Sequence, residues 1–166
     1  MSHLTALSIS IAVLGAVWAF LALGPLAAYT LVWVGFIAWG CFFAAGGDNN
    51  ALVKTIVGTI YGAIIGWIAL AILANVTVAL PSALWPAIVV GVTVFFLVIV
   101  ASIDVLSVVP ANVYGYAAIV GYATLGKGDV MGASASNPIV PVVISLILGA
   151  LFGYASGQLA NMIARK

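Results

Sequence analysis

Apolar residues run along this chain in long blocks, with polar and helix-breaking residues gathered between them. No Asp, Glu, Lys or Arg occurs from His3 to Gly47, or from Thr55 to Ile103. Each interval is about twice the roughly 20 apolar residues a helix needs to cross the hydrocarbon core of a bilayer. Further uncharged stretches run from Val105 to Gly126 and from Val130 to Ala164. Only helices and closed barrels satisfy their backbone polar groups in lipid. Barrel strands alternate polar and apolar residues, and the run from Trp85 to Val100 has no such alternation. The pattern therefore predicts helices. Gly, Pro, Asn and Asp divide it into six, at about 4–23, 26–45, 51–76, 85–104, 111–126 and 138–163. Gly24-Pro25 separates the first pair, Gly46 to Asn50 the second, and Thr77 to Leu84 the third. Asp104 to Pro110 and the Gly- and Ser-rich segment from Lys127 to Asn137 supply the remaining connections.

The same features recur in order along the chain. With Asn50 placed over Asn137, an offset of 87, Gly62 and Gly66 fall on Gly149 and Gly153, and Gly58 falls opposite Ser145. At an offset of 81, Gly40, Gly47 and Asp48 match Gly121, Gly128 and Asp129; at 85, Pro25 and Tyr29 match Pro110 and Tyr114. A duplicated three-helix unit explains this order. Because three is odd, consecutive copies insert with opposite orientation and form an inverted-topology pair. The expected fold is an all-α membrane protein, one transmembrane domain over residues 1–166, with repeat one at about 4–76 and repeat two at about 85–163. Charge agrees with both termini on the cytoplasmic side: Lys54, Arg165 and Lys166 then lie inside and Lys127 outside.

Composition narrows the chemistry. Charged residues make up 4% of the chain and hydrophobic residues 66%, too few charges to cover a water-soluble surface. A net charge of +1 leaves no basic patch for nucleic acid. There is one Cys, one His and no Glu, so a multi-histidine metal site or a catalytic triad cannot be assembled. No enzyme activity, metal or cofactor is expected.

Two sets of residues stand out. Gly58, Gly62 and Gly66, and likewise Gly149, Gly153 and Gly157, fall at a spacing of four that stacks them on one helix face. Such faces let backbones approach closely, and the expected crossing is between the third and sixth helices. Asn50 and Asn137 sit at predicted helix starts, where Asn caps well. Asp104 is a carboxylate at a predicted helix end, and Tyr29, Asn112 and Tyr114 lie close to Pro25 and Pro110. These six polar residues are the candidates for lining a solute path.

The run from Gly35 to Gly47, followed by Tyr61-Gly-Ala-Ile-Ile-Gly-Trp67, resembles the YcdZ-like family of bacterial inner-membrane proteins, a family without an assigned activity. The resemblance implies a multi-pass protein of the bacterial cytoplasmic membrane and carries no site residues. The duplicated plan also looks like that of aquaporins. Those carry Asn-Pro-Ala in both halves, where this chain has Asn50-Ala51-Leu52 and Asn137-Pro138-Ile139.

The functional expectation is a channel or facilitator for a small neutral or weakly polar solute, of the urea, short amide, ammonia or glycerol class, working as a homo-oligomer in the lipid bilayer. The alternative is a non-transporting structural or assembly protein. A polar track through the bundle favours the first, and a dry, sealed core the second.

Overall fold

Six α-helices carry the chain in the computed structural model, which describes residues 1–164. They are α1 (His3–Leu23), α2 (Val32–Ala44), α3 (Asn49–Asn75), α4 (Leu84–Ile99), α5 (Val109–Thr124) and α6 (Ile139–Ala164). Two single 3-10 turns, Val100–Ser102 and Asp104–Leu106, join α4 to α5. Among the described residues there is no strand. Four segments are long and apolar enough to cross a membrane: His3–Leu23, Asn49–Asn75, Leu84–Ser102 and Ile139–Ala164. Arg165 and Lys166, invoked above for orientation, lie outside the described residues.

The helix ends have local causes. α1 starts on Ser2, whose side chain accepts from the Thr5 amide at 3.1 Å. The chain then turns through residues 24–29 before α2 begins at Val32, later than the expected start at 26. The Gly24 amide closes α1 onto the Phe20 carbonyl, and Pro25 has no amide hydrogen with which to continue. Gly46 and Gly47 end α2 with φ of 122° and 71°, a left-handed turn that a side chain resists. The cap of α3 is Asp48, accepting from Ala51 N at 2.7 Å. Asn50 is therefore not the cap: it sits inside the first turn and is exposed.

The glycine faces of α3 and α6 do not meet each other, as the sequence had suggested. A methyl group placed on Gly62 would run into the backbone of Asn112 and Tyr116 on α5, and one on Gly66 into Ile119 and Tyr116. Gly58 faces Ala111 and Asn112, while Gly115 of α5 packs back on the Thr59 carbonyl. In the same way Gly149 of α6 abuts the backbone of Gly35 on α2, and Gly153 faces Trp39 and Phe42. Gly157 has only ordinary contacts, with Phe42 and Phe43. Residue numbers rise together across both pairs, so α3 runs parallel to α5 and α6 parallel to α2. The physical reason is spatial economy: α3 and α6 also touch, but each spends its small-residue face on a parallel neighbour from the other half of the chain.

Around these four helices lie α1, antiparallel to α6, and α4, antiparallel to α3. Ser10 Oγ donates to the Ser156 carbonyl at 2.6 Å, and Tyr61 Oη donates to the Phe96 carbonyl at 2.8 Å. The inner core is Val34, Ala38, Ala63, Ile119, Leu146 and their neighbours, fully buried and apolar. The outward faces of α1 and α4 are apolar too, with Leu4, Val13 and Phe20 on one and Val92, Phe95 and Ile99 on the other all exposed. In water such faces would drive aggregation. With four helices of membrane-crossing length, they mark a membrane protein.

Contacts fix which connections share an end. His3 and Asn161 hydrogen-bond at 3.1 Å, and Lys54 reaches Asp104 at 2.7 Å. One end thus holds the start of α1, the end of α6, the α2–α3 turn and the α4–α5 connection. At the other, Trp67 Nε1 donates to the Val130 carbonyl at 2.9 Å, tying the long α5–α6 connection to α3. Asp48 and Lys127 accordingly sit at opposite ends of the bundle.

Candidate functional site

The six polar candidates do not converge. At the Asp48 end, Lys54 on α3 donates to Asp104 Oδ1 at 2.7 Å and to Ser107 Oγ at 3.1 Å. The Lys54 side chain is only 14% exposed and that of Asp104 86%. The pair therefore pins the α4–α5 connection to α3, and Asp104 lies in a 3-10 turn instead of ending a helix within the membrane. Surface ion pairs contribute about 0–1 kcal/mol, so Asp104→Asn should cost no more than about 1 kcal/mol, and added salt should shrink the difference. Thermal unfolding of both proteins in detergent at low and high salt checks this.

Asn112 is one helical layer deeper and fully buried. Its Nδ2 donates to the carbonyls of Leu97 and Leu106, at 3.2 and 3.1 Å, which the end of α4 and the 3-10 turn leave free. Its Oδ1 is the one buried side-chain oxygen among the described residues without a donor, and it lies against Gly58. The residue is a structural clasp.

Asn137 does a comparable job at the opposite end. Its Nδ2 donates to the carbonyls of Val130 and Gly132, and its Oδ1 accepts from the Ile139 amide at 3.0 Å. It thus caps α6 and shapes the preceding loop. Tyr29 stands exposed in the α1–α2 turn, whereas Tyr114 stands in α5. The 85-residue match between them therefore pairs a turn with a helix. The 81-residue register that relates Gly40 to Gly121 relates Tyr114 to Trp33 instead, and both of these are exposed on the outer face of their helices.

Buried hydroxyls pair mainly with main chain; Thr93 Oγ1 and Tyr116 Oη, 3.0 Å apart, are the one buried hydroxyl pair among the described residues. Thr59, Thr93, Ser145 and Ser156 each turn back to a carbonyl of their own helix at 2.6–2.8 Å. Ser145 Oγ also accepts from the Leu31 amide, and Ser156 Oγ from Trp39 Nε1. These bonds satisfy each of these hydroxyls locally. Among the described residues no group of three His, Cys, Asp or Glu side chains could hold a metal ion.

One open feature is a groove between α2 and α5. It has a volume of about 440 Å³ and is lined by Phe36, Ile37, Gly40 and Cys41 from α2 and by Tyr114 and Ala117 from α5. Gly40 leaves it open, since nothing lies within 4 Å of a Cβ built there. Toward the other end of the helices, the ring of Trp33 comes within 3.9 Å of the corresponding position on Gly121. Cys41 is buried at the groove floor, its sulfur 4.0 Å from Thr55 Oγ1. The sequence reading used Gly40 only as a repeat marker and passed over Trp33 and Ala117, which look like ordinary helix filling. The signal that would have found them is the 81-residue register itself, carried two turns back from Gly40.

A family model described as a protein of unknown function, DUF1097, matches residues 8–161. The chain belongs to that family. It spans all six helices apart from the two outermost ends. No curated protein and no solved structure matches the chain.

Proposed function

We propose that the chain is a six-span bacterial inner-membrane protein, built as two inverted three-helix repeats, that facilitates passage of a small neutral or weakly polar solute along the α2–α5 groove. Exchanging the first three helices for the last three maps α3 on α5 to α6 on α2, and α1 on α6 to α4 on α3. Such a pairing supports the inverted plan, in which solute paths lie at the repeat interface. The likeness to the YcdZ-like family supports the bacterial inner membrane.

The observation that carries the reading is the groove. It lies where helices of the two halves meet, its volume of about 440 Å³ exceeds that of a urea or glycerol molecule, and its wall offers one phenol, one thiol and no charge. Uncharged walls suit neutral solutes and give an ion nothing to replace its hydration shell. Purified protein in liposomes should raise urea, glycerol or ammonia permeability above that of empty liposomes, by light scattering or pH-dye quenching. Gly40→Trp, which fills the groove, should return it to baseline. No increase for any of the three solutes would end the reading.

The return of the buried hydroxyls to carbonyls of their own helices favours a second reading, an assembly protein with no path. Under it, all three permeabilities stay at the level of empty liposomes, while the folded protein still forms a complex of defined size.

A further inference from the structure

We infer that the protein moves as two bodies, one of α1, α2 and α6 and the other of α3, α4 and α5. They hinge at the two connections between them, and their rocking widens and narrows the α2–α5 groove. The gating role rests on the groove being the solute path; the division into bodies does not. These bodies are not the sequence halves, since α3 and α6 have changed sides.

Hydrogen bonds between helices draw the division. In the first body α1 meets α6 through His3–Asn161 and Ser10–Ser156. There α2 is joined by Trp18 Nε1 donating to the Val32 carbonyl and by Trp39 Nε1 donating to Ser156 Oγ. In the second body Tyr61 bonds the Phe96 carbonyl, Thr93 meets Tyr116, and Asn112 reaches the Leu97 carbonyl. Between helices of different bodies the described residues hold one such contact, Thr55 Oγ1 to Cys41 Sγ at 4.0 Å. Thioether and thiol sulfur are weak acceptors.

Close main-chain approaches divide in the same way. Gly62 lies on the Asn112 backbone and Gly115 on that of Thr59, both inside the second body; Gly149 lies on Gly35 inside the first. What lies between the bodies is apolar: Val34 and Ala38 of α2 and Leu146 and Ala150 of α6 pack with Ala63 of α3 and Ile119 of α5. Helices joined only by such side chains slide without breaking hydrogen bonds, the shear form of domain motion.

The chain crosses from one body to the other twice, at residues 45–48 and 125–138, and these crossings sit at opposite ends of the bundle. Gly46, Gly47, Gly126 and Gly128 are the only positive-φ residues among those described, and all four lie in the crossings. Connections within a body have none. Glycine moves between positive and negative φ at little cost, so the backbone is freest where the bodies join. Trp67 of α3 and Asn137, at the start of α6, both donate to the Val130 carbonyl. With α3 and α6 also in contact, that side is the axis and the α2–α5 side opens.

The test uses full-length protein in lipid nanodiscs with Cys41→Ser and pairs of spin labels on cysteines at exposed positions. Leu4–Ile99 and Leu23–Leu84 span the two bodies, one pair at each end; Leu23–Met162 and Val53–Leu84 each lie within one body. Pulsed electron resonance should give cross-body distances that are bimodal or at least twice as broad as the within-body ones. Cross-body distributions as narrow as the within-body ones would overturn the inference, as would equal breadth in all four pairs. Each end is read by its own pair, so one poorly accumulating variant leaves the other to decide. Broad cross-body distances without solute flux keep the two bodies and remove the facilitator reading. Flux with narrow distances does the reverse.

Discussion

Gly62→Leu should abolish accumulation of folded protein. Even one methyl group at this position would collide with the main-chain carbonyl of Asn112 and lie 2.9 Å from the Tyr116 amide. Main chain held in a helix cannot swing aside as a side chain does, so α3 and α5 would have to separate along their length. Overpacking a core costs about 1–3 kcal/mol where side chains can adjust, and this site has none to adjust. Gly149→Leu should fail in the same way against the backbone of Gly35. Gly15 and Gly91 provide the contrast. Gly15 meets only the Phe36 ring at 3.7 Å and Gly91 meets nothing within 4 Å, so alanine at either should be tolerated. Membrane yield and size-exclusion profile read both arms. Near-normal yield of monodisperse Gly62→Leu would show that the close α3–α5 approach is not present.

The second large effect is expected at Asn112. Replacing it with Leu keeps the branched shape, adds some bulk and removes both donors. The Leu97 and Leu106 carbonyls, at 3.2 and 3.1 Å, would then be left without the amide that joins them. A buried acceptor without a partner costs about 1–3 kcal/mol, and here two are affected. Removing Oδ1 relieves part of this, because a buried oxygen without a donor already carries a penalty of the same kind. Asn112→Leu should therefore lower stability by about 1–3 kcal/mol, two such penalties less one. Thermal unfolding in detergent measures it. Protease sensitivity should increase first between Val100 and Val108, where the clasp holds the chain. An unchanged melting temperature would mean that water satisfies these carbonyls and that the clasp has no structural weight.

How much of this was legible beforehand depended on the kind of information involved. The number and approximate extent of the helices followed from blocks of apolar residues, since lipid imposes a simple length rule on the chain. Ladder glycines were visible as close-approach positions because their spacing repeats. Their partners were not visible. A GxxxG face says that something packs there, and only the complete bundle decides that α3 takes α5 and α6 takes α2. Asn50 and Asn137 look alike in sequence, yet Asp48 two residues earlier wins the cap of α3, and no carboxylate competes with Asn137 in the same place. Asp104 drew attention as a charge beside an apolar block. Its meaning depended on Lys54, 50 residues away in sequence and adjacent in space. The groove was hidden for a related reason: Phe36, Gly40 and Ala117 differ from other helix residues only in having nothing in front of them.

The partnering of α2 with α6 also bears on how such a chain is made. α2 ends at Ala44, and the helix that receives its glycine face starts at Ile139. During synthesis α1 and α2 must therefore wait in the insertion machinery or in lipid until nearly the whole chain has emerged. α3 waits for a shorter time, for α5. Neither half can close its own tightest contact, so the bundle is complete only with the last helix. A nascent chain halted before Ile139 can already pack α3 on α5, but Gly35 of α2 still lacks the Gly149 backbone it meets in the finished protein.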